Sequence, residues 1–187
     1  MIGEIGVSNP IHPYEIKSLA ASAVASAKTG VPLQVHTYMW GKTGLDAVSI
    51  LLEHGAKPHK IVICHTDVTL NMDYILELLD MGIYVEFDNF GKEFYIPRAD
   101  RGFAGGSFAF DIERVKAIKT LVDKGYKSQL LMTNDICIKS MLRAYGGWGY
   151  DHVLSNIVPM MLDEDISQED IDQIIKRNPY NWLTSAC

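Results

Sequence analysis

Short runs of aliphatic and β-branched residues alternate along this chain with longer amphipathic stretches, and this alternation restricts the fold more than any other feature. Parallel strands need a long crossover connection, usually a helix, so such alternation indicates a parallel sheet. The sequence predicts strands over residues 2–7, 33–37, 60–64, 83–87 and 129–133. It predicts helices over residues 14–29, 44–54, 71–80, 111–124, 151–162 and 167–176, with Asp111 as an N-cap. We therefore expect an α/β fold in a single domain spanning residues 1–187.

The composition excludes several classes of protein. The chain is 48% hydrophobic and 21% charged, so it has enough apolar residues for a core and is not expected to be disordered. A net charge of −6 argues against a nucleic-acid partner. No stretch approaches the roughly 18 apolar residues of a membrane span. The three cysteines have no metal-type spacing, and the N-terminal residues lack a secretory pattern, so we expect a cytoplasmic protein.

Polar side chains suited to metal binding stand at the ends of the predicted strands, or within the strand for the first one. These residues are Glu4, His36, His65 with Asp67, Asp88 with Asn89, and Asn134 with Asp135. In parallel α/β folds the active site lies at the edge where the carboxyl ends of the strands meet. Imidazole nitrogens and carboxylate oxygens bind zinc and similar divalent ions, and a carboxylate can bridge two of them. Two ions roughly 3.5–4 Å apart would activate a water and polarise the bond to be broken.

Each of these residues also has a simpler interpretation. A histidine after an apolar strand is more often a core or surface residue than a ligand, and Glu4 can be a solvated charge. Asp135 can be a helix N-cap, and Asp88 can begin a turn. Recurrence at equivalent positions in successive βα units is the observation that favours a metal site. Surface positions are expected for the four remaining histidines, His12, His54, His59 and His152.

A long irregular segment, residues 89–110, follows the fourth predicted strand. A loop of this length inside a compact α/β domain is more often functional than idle. The candidates for substrate binding in and around it are Asn89, Lys92, Arg98 and Arg101. The cationic members could bind an anionic group of a small-molecule substrate, with solvated loop charges as the alternative.

Several ordered motifs resemble the phosphotriesterase family of the amidohydrolase superfamily, and its phosphotriesterase-related branch most closely. The motifs are GEIG, TGVPLQVHT, GAKPHKIVICHTD, FDNFGKEFY, NDI, YGGWGYDHVLSNIVPMML and NPYNWL. This resemblance spans essentially the whole chain and implies a (β/α)8 TIM barrel with a centre of two divalent metal ions, usually zinc. Because sets of histidine and carboxylate ligands also accept manganese, cobalt or iron, the metal itself stays open.

The resemblance also implies roles for individual residues. His36 and His65 look like the ligands of the second metal. Glu4 looks like the bridging carboxylate, at a position where the best-known members use a carboxylated lysine. Asp135 looks like a ligand of the first metal and the catalytic base that takes a proton from the bridging hydroxide.

The chain departs from the family pattern in three places. The family's first strand supplies an HxH pair, and this chain contains no HxH. Glu4 corresponds to the fourth barrel strand, so the chain is expected to hold about five βα units, strands four to eight, of an N-terminally incomplete barrel. Asn89 replaces a histidine that some members use in a proton relay, and Val68 stands where its acidic partner would be.

The leading hypothesis is a divalent-metal-dependent hydrolase in which metal-bound hydroxide attacks an ester, lactone, amide or phosphoester. For the related branch, a lactone or N-acyl amide is more natural than an organophosphate. The alternative is a catalytically incomplete metal-binding fragment or subunit that another chain completes, because an open barrel leaves two strand edges free to pair, including in a homo-oligomer. A third hypothesis is a flavodoxin-like binding domain, which predicts no cluster of ligands at one edge.

Overall fold

The computed structural model describes residues 1–97 and 105–185 and shows strands alternating with helices. The strands are β1 Ile2–Gly6, β2 Leu33–His36, β3 Ile61–Ile63, β4 Tyr84–Phe87 and β5 Leu130–Met132. The helices are α1 Pro13–Thr29, α2 Thr43–Glu53, α3 Met72–Asp80, α4 Asp111–Asp123, α5 Val158–Asp163, α6 Gln168–Asp172 and α7 Asn178–Thr184. The five predicted strands and the first four predicted helices are confirmed, each end falling within one residue of its prediction.

All five strands pair in parallel, in the order β1-β2-β3-β4-β5. The last residues of neighbouring strands lie side by side, as the partners Gly6 and His36 of β1 and β2 show. Phe87 and Met132 are partners in the same way at the ends of β4 and β5. Residues that follow the strands therefore project from one edge of the sheet, as the predicted site requires.

The main core lies between the sheet and helices α1 to α4. Alternate strand residues face these helices, and each is fully buried. They are Leu33, Val35, Ile61, Ile63, Val85, Phe87 and Leu130. Val62 and Leu131 face the other side of the sheet, where Trp182 of α7 packs against them. Because β3 is buried on both faces, its residues form the continuous apolar run that the sequence shows.

Helix α4 begins at Asp111, but its N-cap is the residue before, which changes the role of Asp111. Phe110 is the N-cap, and its backbone N–H donates to the Glu113 carboxylate at 2.7 Å. Asp111 is the first helical residue and is buried. The prediction of Asp111 as an N-cap is therefore wrong, because its carboxylate is engaged in tertiary contacts rather than in capping its own helix.

The C-terminal helices contain two wide π-helical turns, Val153–Ile157 and Gln173–Arg177. Pro159 and Pro179 occupy the first turn of the α-helix after each of them. A proline has no N–H to continue the i→i+4 ladder, so the turn before it widens to i→i+5 hydrogen bonds. The helix predicted over 151–162 thus has a π-helical first half. The one predicted over 167–176 stops too early, since the chain stays helical to Thr184.

Along the described part of the chain, β1 and β5 each pair with only one neighbour, so each leaves one edge of the sheet free. Unpaired strand edges carry N–H and C=O groups that favour pairing with further strands. No helix among residues 1–97 and 105–185 combines the length and the apolar character needed to cross a membrane.

Candidate metal centre

Three of the predicted ligands meet at the carboxyl edge of the sheet. Glu4 lies in β1, His36 ends β2, and His65 follows β3 by two residues. His36 Nδ1 is 3.4 Å from Glu4 Oε2, and His65 Nε2 is 3.5 Å from Glu4 Oε1. The two imidazoles meet edge to face, with His65 Nε2 2.8 Å from His36 Nδ1. Parallel pairing of β1, β2 and β3 brings together residues that are far apart in sequence.

The spacing of these atoms fits a divalent ion. Zinc bonds of about 2.0–2.2 Å to nitrogen and oxygen in a tetrahedral site place neighbouring ligand atoms about 3.3–3.5 Å apart. Both carboxylate–imidazole distances already match that spacing. The two imidazole nitrogens would have to separate by about half an ångström, which His36 can accommodate because 41% of its side chain is exposed. The donor set is therefore suited to a zinc-like ion.

His65 is held in place by Asp88, the residue that follows β4. Its Nδ1 lies 2.9 Å from Asp88 Oδ2, and its backbone N–H donates to both Asp88 oxygens at 3.1 Å. The His65 backbone has a φ of 61°, a left-handed conformation that is uncommon for a histidine. With Nδ1 turned towards Asp88, Nε2 faces Glu4. A carboxylate behind a ligating histidine fixes the orientation of the ring in metal sites.

The electrostatics of the cluster favour a positive charge. Hydrogen bonds from His36 and then His65 hold the pKa of Glu4 well below its usual range, although burial opposes this. Burial lowers the pKa of His65, but the contacts with Asp88 and Glu4 outweigh it and raise the pKa to about 10. A proton on His65 thus offsets part of the negative charge of the neighbouring carboxylates. A metal that binds here would replace protons, as in metal sites generally.

Asp135 and Lys92 stand together elsewhere in the same pocket. Asp135 follows β5 with a φ of 39°, and its Oδ2 forms an ion pair with the Lys92 ammonium group. Only 4% of the Lys92 side chain is exposed. Within the described ranges, the cluster whose donor atoms lie within 4.8 Å of one another contains Glu4, His36 and His65 but not Asp135.

The pocket has a volume of about 330 Å³ and mostly apolar walls. Besides the ligands, Asp135 and Lys92, it is lined by Met39, Phe94, Ile96, Phe108, Cys137 and Ile138. Sequence reasoning missed the aromatic and aliphatic residues of this wall, because they come from separate loops and share no periodic pattern. Phe94 and Phe108 stack edge to face, with ring centroids 5.8 Å apart, so the loop contributes a preformed aromatic wall.

Of the four residues predicted to bind substrate, one needs correction and two lie outside the described residues. Asn89 is fully buried, and its amide donates to Asp67 Oδ1 and Asp88 Oδ1, both at 2.6 Å. It has no exposed surface for a substrate, so the prediction that it binds substrate is wrong. Arg98 and Arg101 lie outside the described residues.

A second group of potential ligands lies deeper in the sheet and consists of Cys64, Glu86 and Asp88. Its contacts indicate a structural role. Glu86 accepts hydrogen bonds from Gln34, Thr133 and the Cys64 thiol, at 3.0, 3.1 and 3.2 Å. Burial and the nearby carboxylates raise the pKa of Cys64 well above its ordinary value. A neutral thiol is a poor metal ligand and nucleophile, so Cys64 is a small buried residue of the core.

Comparison with known proteins identifies the family. The sequence model of the phosphotriesterase family matches residues 1–183. This chain belongs to the phosphotriesterase family. It is 40% identical over 185 residues to a phosphotriesterase-related protein of Nematostella vectensis and 37% identical to an N-acetyltaurine hydrolase of Xenopus tropicalis. Each alignment covers 98% of this chain and 52% of the relative, so the chain spans about half the length of these curated relatives.

Solved structures of family members share the fold. The phosphotriesterase homology protein of Escherichia coli, crystallised with phosphate in its active site, superposes with a TM-score of 0.86 at 32% identity. It matches 98% of this chain and 59% of its own. A resiniferatoxin-binding protein of Rhodobacter sphaeroides superposes with a TM-score of 0.91 at 30% identity, over 98% of this chain and 50% of its own. The five parallel βα units are thus part of a barrel of the (β/α)8 type, as predicted, and the flavodoxin-like hypothesis is excluded.

Proposed function

We propose that this chain carries the metal-binding part of a divalent-metal-dependent hydrolase. The observation that carries the proposal is the convergence of Glu4, His36 and His65 at the carboxyl edge of the sheet, within one pocket. Active sites of barrels of this type lie at that edge. These three residues would hold the ion, and the family suggests a second one beside it. When bound, a divalent ion supplies Lewis-acid activation of water and of the substrate's polar bond.

Asp135 is the residue we propose as general base. Its carboxylate is 36% exposed and lines the pocket, so it is accessible to a water that approaches a substrate there. The ion pair with Lys92 fixes the orientation of the carboxylate. A base must lie within hydrogen-bond reach of the proton that it takes, directly or through one water, and Asp135 lines the same pocket as the ligand cluster.

The pocket favours a substrate with an apolar part and one anionic group. Its aromatic and aliphatic walls exclude water from the reacting bond, whereas Lys92 is a buried cation next to them. Lys92 is paired with Asp135 in this structure, so a carboxylate, sulfonate or phosphate of the substrate would compete with Asp135 for the charge-assisted hydrogen bonds of the ammonium group. Relatives of this chain include N-acetyltaurine hydrolases and a phosphotriesterase-like lactonase of Deinococcus radiodurans. We therefore propose an anionic N-acyl amide as the leading substrate class and a lactone as the second.

The proposed activity belongs to a sheet completed by further strands. Over the described residues β1 and β5 have free edges, and the relatives are about twice as long as the part that this chain matches. The same polypeptide, another chain or a second copy could supply those strands. Light scattering on the purified protein distinguishes a monomer from an assembly.

Hydrolysis assays test the proposal directly. The zinc-loaded protein is incubated with N-acetyltaurine, an aliphatic lactone and a phosphotriester, with and without a chelator. We expect chelator-sensitive hydrolysis, a loss of 100-fold or more in Asp135→Asn as for removal of a general base, and no change in the control Asp73→Asn, which is exposed on α3. Hydrolysis at an unchanged rate in the presence of the chelator would refute the proposal that the activity depends on a divalent metal. Zinc binding without hydrolysis of any substrate would favour the second candidate, a non-catalytic metal-binding subunit.

A further inference from the structure

A buried network of polar contacts leads from His65 away from the pocket and reaches helix α4. Asp88, which contacts His65 Nδ1, accepts a hydrogen bond from the Asn89 amide at 2.6 Å. The same amide donates to Asp67 Oδ1 at 2.6 Å, and the Asn89 backbone N–H donates to Asp67 Oδ2 at 3.0 Å. Asp67 and Asn89 have no exposed surface, and Asp88 and His65 are each 3% exposed. The orientation of the His65 ring is thus set by a fixed set of buried partners.

Arg114 of α4 is the fully buried cation at the centre of this network. Its Nε lies 2.9 Å from Asp67 Oδ2, and its Nη1 donates to Asp111 Oδ1 at 2.9 Å. Its Nη2 donates to the backbone carbonyl of Lys92 at 3.4 Å. Arg114 therefore contacts both sides of the pocket indirectly: the His65 side through Asp67, and the Lys92 side through the backbone.

Asp111 strengthens the second connection. Its two carboxylate oxygens accept the backbone N–H of Gly91 at 2.9 and 3.1 Å, directly before Lys92. His152 Nε2 lies 2.7 Å from Asp111 Oδ2, and the His152 ring stacks on Trp148 with centroids 5.0 Å apart. The surface position predicted for His152 is therefore wrong, since only 3% of the residue is exposed.

We propose that Arg114 is a positioning residue that holds His65 and Lys92 in their orientations in the pocket. Buried charges are costly to desolvate, and well-packed apolar residues of similar volume often give equal or greater stability. A buried guanidinium that contacts two carboxylates, those of Asp67 and Asp111, is therefore better explained by the geometry that it imposes than by stability. Partners behind a metal ligand typically contribute 10-fold to 100-fold to metal affinity. The inference rests on the proposed function only in assigning His65 and Lys92 to the site.

Zinc affinity, measured by competition with a chromophoric chelator, gives a readout that does not depend on hydrolysis. We expect Arg114→Met and Asn89→Leu each to raise the zinc Kd by about 10-fold to 100-fold. Arg114→Lys keeps the charge and should restore part of the affinity. The matched control is Leu121→Ala, because Leu121 is fully buried on the same helix and its truncation costs stability without touching the network.

NMR on the metal-free protein at one fixed pH provides the second readout. With labelled imidazoles, the Nδ1 proton of His65 should be protected from exchange by Asp88 in the wild type and in Leu121→Ala. Protection should be lost in Arg114→Met and Asn89→Leu. This readout tests the proposal even if the wild type binds no zinc and the proposed function fails.

The outcome that overturns the proposal is a clear one. In that outcome, Arg114→Met and Arg114→Lys lose thermal stability to the same extent as Leu121→Ala. The protection of the His65 Nδ1 proton from exchange stays at the wild-type level, and so does the zinc Kd if zinc binds. If Arg114→Met does not fold, Arg114→Lys and Asn89→Leu decide the question by the same two measurements.

Discussion

Zinc should stabilise this chain through the Glu4, His36 and His65 cluster, and the size of the effect follows from linkage. A ligand that binds only the folded state adds RT ln(1 + [L]/Kd), which is about 2.7 kcal/mol when its free concentration is 100 times Kd. For a chain of 187 residues, each kcal/mol moves Tm by about 2–4 °C. At that zinc concentration the melting temperature should therefore rise by about 5–11 °C.

His36→Ala is the sharpest perturbation of this site. Its side chain is 41% exposed, so the substitution removes a ligand with little loss of packing. If the loss of one of three ligands weakens binding 100-fold, the same zinc concentration only equals Kd and stabilises by about 0.4 kcal/mol, or about 1 °C. His65→Ala should abolish the zinc shift as well. Its baseline Tm should also fall, because it leaves the buried Asp88 without its partner.

Differential scanning fluorimetry with buffered free zinc measures these shifts. The matched control is His54→Ala, because His54 is exposed at the end of α2 and its Nδ1 contacts only the carbonyl of Ile50, at 2.9 Å. We expect the control to keep the full zinc shift. A full shift in His36→Ala, or an equal loss in His54→Ala, would show that zinc binds elsewhere on the chain.

Two further predictions concern the scaffold. Trp182→Ala should lower the free energy of unfolding by denaturant by about 3–5 kcal/mol, because it removes a buried ring that donates a hydrogen bond to the Lys60 carbonyl at 3.2 Å. Trp148→Ala, at a position that is 57% exposed, should lower it by about 1 kcal/mol or less. Similar losses in the two variants would contradict the buried role of α7. Burial raises the pKa of Tyr74 from 10.0 to about 12, so the folded state holds the phenolic proton more tightly than the unfolded state does. The free energy of unfolding of the wild type should therefore fall by up to about 2.7 kcal/mol as pH rises from 10 to 12. Tyr74→Phe should lack that component of the pH dependence while losing about 1 kcal/mol at neutral pH, since the hydroxyl accepts the Gly44 N–H at 3.1 Å; an unchanged alkaline slope would refute the assignment.

The sheet and the ligand cluster could be predicted from sequence because both follow from local patterns. Short stretches rich in aliphatic and β-branched residues mark the strands, and parallel pairing then brings the residues after the strands to one edge. The strand pattern and parallel pairing are sufficient to predict that Glu4, His36 and His65 lie close together. The residues behind them could not be found in this way. Asp111 and His152 are 41 positions apart, and no periodicity connects a helix start to a residue beside a glycine-rich loop.

The C-terminal region shows a different limit of local patterns. A proline in a helical pattern predicts the end of the helix. The predicted helix over 151–162 nevertheless includes Pro159, and the last predicted helix ends before Pro179. In the structure each proline lies within the first turn of an α-helix, and the preceding π-helical turn absorbs the missing hydrogen bond. Burial of Trp182 against β3 and β5 then keeps α7 helical, which is a tertiary effect that the local sequence does not encode.

The position of Glu4 connects the open sheet to the chemistry of the site. Glu4 lies on β1, which pairs only with β2 in the described structure, and the register of that pairing shifts between Ile2 and Ile5. Its side chain is 43% exposed, whereas His65, on the far side of the cluster, is held by buried partners. The carboxylate is therefore less constrained than His65. A strand added to the free edge of β1 would restrict Glu4 and reduce the entropy lost when an ion binds, because pre-organised ligands bind more tightly. Zinc affinity should accordingly be higher in the completed sheet than in this chain alone.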